Sequence, residues 1–163
     1  MTIQTHLSTQ TLYNQDYYLW LQTTIKQLKS GQFSTLDVEN LIEELESMGK
    51  NDRRALESLL TRLLEHLLKL TYWQTEREYN QRGWKNEIRN FRLQIKKILK
   101  DSPSLKPYLT EILGECYDDA KNLFMDSSGI TASILPQTQI GTVEQILDEN
   151  WFPDCLENKK ASR

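Results

Sequence analysis

Residues 56–70 read LESLLTRLLEHLLKL, and this stretch decides the fold class. Leu56, Leu59, Leu60, Leu63, Leu64, Leu67, Leu68 and Leu70 recur three and four residues apart, which is a helical period and not a strand alternation. Wound as a helix, these leucines cover more than half the circumference. An arc that wide needs neighbours on several sides, so this is the expected central helix of a core.

The same period continues in both directions. Upstream, Tyr17, Leu21, Ile25 and Leu28 predict a helix over residues 16–29, capped by Asn14 or Asp16 and stopped by Gly31. Ser34 or Thr35 opens the next, with a stripe of Val38, Leu41, Ile42, Leu45 and Met48 and an expected end at Gly49. The central helix then starts at Asn51 or Asp52. Downstream, a polar stretch over residues 74–82 and Gly83 are expected to reset the chain. Trp84, Ile88, Phe91, Ile95, Ile98 and Leu99 mark a fourth helix, which Ser102-Pro103-Ser104 breaks. A fifth carries Leu105, Leu109, Ile112, Leu113, Cys116, Ala120 and Leu123. Residues 127–142 read as irregular, and a short helix over 143–150 leads into Trp151-Phe152-Pro153.

These elements predict an all-α, single-domain antiparallel helical bundle of about five helices with a short C-terminal helix. The expected bounds are 13–156, with flexible segments over 1–12 and 157–163. A length of 163 residues suits one domain. With 38% apolar and 26% charged residues the chain is globular, and 6 glycines with 4 prolines argue against a loop-rich β-sandwich. Residues 1–15 have neither a Lys or Arg nor an apolar run, so no signal peptide is expected. No apolar stretch is long enough to span a bilayer, so no membrane partner is expected either. Two cysteines, Cys116 and Cys155, are too few for a disulfide scaffold or a thiolate metal site. A cytoplasmic protein is the resulting expectation.

The net charge of −3 is unevenly spread. Residues 82–106 hold the basic side chains Arg82, Lys85, Arg89, Arg92, Lys96, Lys97, Lys100 and Lys106 against only Glu87 and Asp101. A cationic strip on that helix could contact phosphates. In an acidic chain with no helix-turn-helix pattern, ion pairing with acidic neighbours is the expected use, and nucleic acid is not an expected partner. Trp84 and Arg89 read as half-buried by pattern.

Chemistry has few candidates. His66 lies at the edge of the leucine arc, and Glu43, Glu44 and Glu46 precede the expected turn at Gly49. A carboxylate and an imidazole on facing helices could hydrogen-bond or share a metal. Di-iron bundles repeat a Glu-x-x-His pair on two helices, and this chain has neither the repeat nor a second ordered His, so a His66 satisfied by a carboxylate or a carbonyl is expected, with no metal and no cofactor. Cys116, mid-stripe, reads as a small buried hydrophobe. No catalytic motif is present. Aromatic residues cluster at Tyr13, Tyr17, Tyr18 and Trp20 and again at Trp151 and Phe152, expected to pack or to bind protein.

The order of motifs resembles a known family. Tyr13-x-x-Asp16-x-x-x-Trp20 comes first, then Asp37 with Leu41-x-Glu43-Glu44-x-Glu46-x-Met48, then Leu63-Leu64-x-His66-Leu67-Leu68-Lys69. Gly83-Trp84-x-x-x-Ile88-Arg89, Pro103-Ser104-Leu105 and Thr142-x-x-Gln145-Ile146-Leu147-Asp148-x-x-x-x-Pro153 follow. Together they resemble the domain-of-unknown-function family 29, common in cyanobacteria and some other bacteria. The resemblance implies a small, mostly helical bacterial protein and brings no activity with it. It groups Asp16, Trp20, Glu43, Glu44, Glu46, His66, Lys69, Trp84 and Arg89 as signature positions. The function expected is contact with another protein or a second copy. An enzyme or a metal- or ligand-binding site built on Glu43, Glu44, Glu46 and His66, helped by Asp16 and Arg89, is the alternative, and nucleic-acid binding through residues 82–106 the next.

Overall fold

The computed structural model describes residues 9–154. Cys155 and the expected tail over 157–163 lie outside the described residues. The chain divides into two compact units, Met1–Asn51 and Asp52–Arg163. Among the described residues there are six α-helices and no strand: α1 (Thr9–Gln15), α2 (Tyr17–Lys29), α3 (Val38–Tyr72), α4 (Gln74–Asp101), α5 (Lys106–Ser128) and α6 (Val143–Leu147). The all-α expectation holds.

In the first unit, α1 occupies residues that the sequence assigned in part to a flexible lead. Asp16 separates it from α2 and caps α2, its carboxylate accepting from the Leu19 N–H at 2.9 Å. Gly31 then takes a positive φ of 71°, which lets the chain leave α2 at the expected place. α2 and the first turns of α3 run antiparallel as a hairpin. Tyr17 near its start reaches Glu44, Trp20 reaches Asp37, and Gln27 near its end reaches Thr35.

Gly49 does not end a helix. α3 runs through it for 35 residues without a break. A glycine inside a helix costs about 0.5–1 kcal/mol relative to alanine, too little to stop a segment whose flanks are good helix formers. Gly83 is likewise interior to α4, and the polar stretch over 74–82 is helical. The break between these helices falls at Trp73, which has neither glycine nor proline beside it. Its ring stacks on Trp84 at 5.8 Å and meets Phe124 edge-on at 6.3 Å. Packing of the indole, rather than a local breaker, marks the corner.

The second unit is an up-down-up arrangement. His66 meets Phe91 and Trp73 meets Trp84, so α4 descends along α3. Tyr108 hydrogen-bonds Glu57 and Phe124 meets Trp73, so α5 ascends again. Leu56, Leu60, Leu63, Leu64, Leu67 and Leu68 are all sealed, and Ile88, Ile95, Leu109, Leu113 and Phe124 close over them. The leucine stretch is the centre of the core, as its pattern predicts.

Arg92 is the departure from pattern here. It is fully buried, whereas Arg89 is exposed, the reverse of the sequence expectation. Its guanidinium donates to the carbonyls of Ile146 and Trp151 at 2.7 Å each and lies 5.1 Å above the Phe152 ring. One side chain therefore fastens α6 and the segment after it to α4. Gly141 lets Trp151 approach closely, because a Cβ there would meet the indole at 3.0 Å.

Candidate functional site

Several of the polar residues singled out in the sequence are engaged by partners of their own. Asp16 is spent as the cap of α2. Glu43 is exposed, and Glu46 is exposed beside Lys50 at 3.6 Å. Glu44 is half-buried and accepts two phenols, Tyr13 at 2.6 Å and Tyr17 at 2.9 Å. The hydrogen bond to Glu44, with some burial, pushes the Tyr13 hydroxyl up to about 12, and the same bond raises Tyr17. Both phenols stay protonated as donors, and the carboxylate they share is an engaged acceptor. Their chemistry is that of a latch from α1 and α2 onto α3.

Behind the latch, Trp20 is fully buried and donates its indole N–H to Asp37 at 3.2 Å. Asn40 donates its side-chain amide to the same carboxylate oxygen at 2.7 Å. Tyr13 packs edge-on to Trp20 at 4.9 Å, and Tyr17 stacks on it at 5.8 Å. The aromatic cluster read from the sequence is thus joined to Glu44 and Asp37, a link the sequence reading missed. Its signal was the Tyr13, Tyr17 and Trp20 spacing, which puts all three on one side of consecutive helical turns.

His66 belongs to the second unit and not to this cluster. The turn expected at Gly49 would have folded the glutamates back towards it, but α3 has no turn there. His66 is half-buried, with Nδ1 2.9 Å from the Arg62 carbonyl oxygen. A carbonyl only accepts, so Nδ1 carries the proton. Burial holds the imidazole below its ordinary value. Next to it the sequence reading overlooked Glu65, a buried carboxylate held by Lys69 at 2.8 Å and Arg62 at 2.9 Å. Burial pushes Glu65 up, but the hydrogen bonds from Lys69 and Arg62 outweigh it and hold the group below the usual range. Among the described residues, no three His, Cys, Asp or Glu side chains gather as metal ligands.

The basic strip of α4 is interrupted. Arg92 points into the core, Lys96 pairs with Glu149 at 2.6 Å, and Lys85 is half-buried above the Phe152 ring at 5.6 Å. Arg82, Arg89, Lys97 and Lys100 remain exposed.

What the first unit does present is an apolar face. On α3, Asp37, Leu41 and Glu44 turn toward α2, while Val38, Ile42 and Leu45 project about a quarter turn further round. On α2, Trp20 and Thr24 turn toward α3, with Tyr18, Leu21, Ile25 and Leu28 further round in the same sense. Because the two right-handed helices run antiparallel, the two sets emerge on the same side of the hairpin. Tyr18 is 70% exposed, Leu45 61%, and Val38 and Ile42 51% each. Ile25 and Leu28 are exposed beside them.

The signature blocks lie in order along both units, and the family model for a domain of unknown function, DUF29, matches residues 12–152. The chain belongs to this family. No curated protein and no solved structure matches it. The DUF29 match spans the Tyr13–Glu44 latch, the leucine core and the Arg92 clamp alike. No helix among the described residues of this DUF29 chain is long and apolar enough to cross a membrane.

Proposed function

We propose that this chain is a cytoplasmic helical domain that acts by binding protein through the apolar face of the α2–α3 hairpin. The observation that carries the reading is that face. Tyr18, Ile25, Leu28, Val38, Ile42 and Leu45 stand exposed on one side of the hairpin, a contiguous apolar patch of the kind that marks protein-binding surfaces. The latch of Tyr13 and Tyr17 on Glu44 supports it by holding the hairpin in one conformation, so little ordering is left for the moment of binding. The cytoplasmic setting is supported by the low cysteine content, and a bacterial origin by the family resemblance.

The test is a photo-reactive amino acid placed at Leu45 in the full chain, irradiated in living cells. A light-dependent protein adduct at position 45, with none from the exposed control position Glu115 on α5, is the expected result. Irradiation that yields no adduct at position 45 overturns the reading.

A further inference from the structure

We infer that the occupant of the hairpin face is a second copy of this chain, docked so that each α2 lies over the partner's α3. The inference rests on the binding role given to that face above. Two features of the hairpin point to self-association. The first is shape: the exposed apolar side chains form one stripe shared by two neighbouring helices. A two-helix layer buries such a stripe best against another two-helix layer, giving a four-helix bundle.

The second is charge. α2 carries Lys26 and Lys29 and no acidic residue. The opposing part of α3, residues 38–48, carries Glu39, Glu43, Glu44 and Glu46 and no basic residue. Two hairpins can stack face to face about a two-fold axis in one of two directions. An axis across the helices puts α2 on α2 and α3 on α3, which brings the glutamates of one copy against those of the other. An axis along the helices puts α2 over the partner's α3, antiparallel, with cations beside carboxylates on both outer edges. The height of Lys26 along the hairpin, near the start of α3, sets it closest to the partner's Glu39, with Lys29 and Glu43 flanking. Lys26, Lys29, Glu39 and Glu43 are all exposed, so each is free to form that edge. Like-charge repulsion selects against the first axis, and complementarity selects the second.

Sedimentation of the full chain over a concentration series tests this. The expected result is a mass that doubles with concentration. Leu45→Glu, Lys26→Glu with Lys29→Glu, and Glu39→Lys with Glu43→Lys should each weaken the dimer by about tenfold or more at low salt. Mixing the two charge-reversed variants should restore a heterodimer. Circular dichroism of each variant shows that the helices survive, since every substituted position is exposed. A monomer at every concentration overturns the inference, and so does a dimer that ignores the charge reversals or a mixture that fails to restore. The adduct at position 45 separates this failure from that of the binding role: a monomer whose adduct contains a different protein removes only the second copy, whereas no adduct removes both.

Discussion

Leu56, Leu60 and Leu63 on α3 are sealed from solvent, whereas Val38, Ile42 and Leu45, which continue the same periodic stripe earlier in α3, stand half or more exposed. Each exposed residue precedes its buried counterpart by five turns at about 3.6 residues per turn, so the stripe is one feature with two environments. From Leu56 onward α4 and α5 cover it. Before Asn51, among the described residues, α1 and α2 lie along its flank and leave the stripe bare. An amphipathic stripe thus states that a helix will have a covered face, but not which chain will cover it.

The largest expected effect separates the two stretches directly. Leu63→Ala should cost about 2–5 kcal/mol, because the leucine is fully buried and the core cannot close over the void. Leu45→Ala, measured in denaturant at a dilution where the chain is monomeric, should cost well under about 1 kcal/mol. Equal costs for the two would erase the contrast.

A smaller effect tests whether α3 is one helix across the junction. Gly49→Ala should stabilise by about 0.5–1 kcal/mol in thermal unfolding, since a Cβ there meets no neighbouring atom and its backbone is helical. A turn at Gly49 with positive φ would reverse the sign.

The smallest sharpens the covered half. Burial lowers His66 from its ordinary 6.5, so around that pH the folded chain binds fewer protons than the unfolded one. The contribution of His66 is therefore complete above pH 6.5 and is lost as the pH falls from 6.5 through the folded value. His66→Gln should flatten the fall in stability between neutral and mildly acidic pH relative to the parent chain. Identical slopes would show an imidazole as solvated folded as unfolded.

Much of the fold was legible because its signals are local. The leucine period, the Asp16 cap, the Gly31 stop and the Ser102-Pro103 break each act within a few residues of themselves. What was not legible depends on neighbours distant in sequence. Gly49 and Gly83 look like breakers, yet each imposes a cost that a long helix absorbs. Trp73 looks like an ordinary helical residue, yet its partners are Trp84 and Phe124. Arg92 sits in a run of surface cations, and the carbonyls that draw it inward belong to Ile146 and Trp151. For the polar candidates, the residues and the aromatic cluster were both visible, but their pairing was not. Glu44 reads as a boundary residue until Tyr13 is brought to it from α1.

The most direct test of the two environments on α3 is carbene footprinting of the full chain at low and at high protein concentration. Residues 38–48 should label heavily at dilution and become protected as the concentration rises, while residues 56–70 stay protected throughout. Protection of residues 38–48 at every dilution would contradict a face left open for a partner. Heavy labelling that no concentration diminishes would contradict a second copy as that partner.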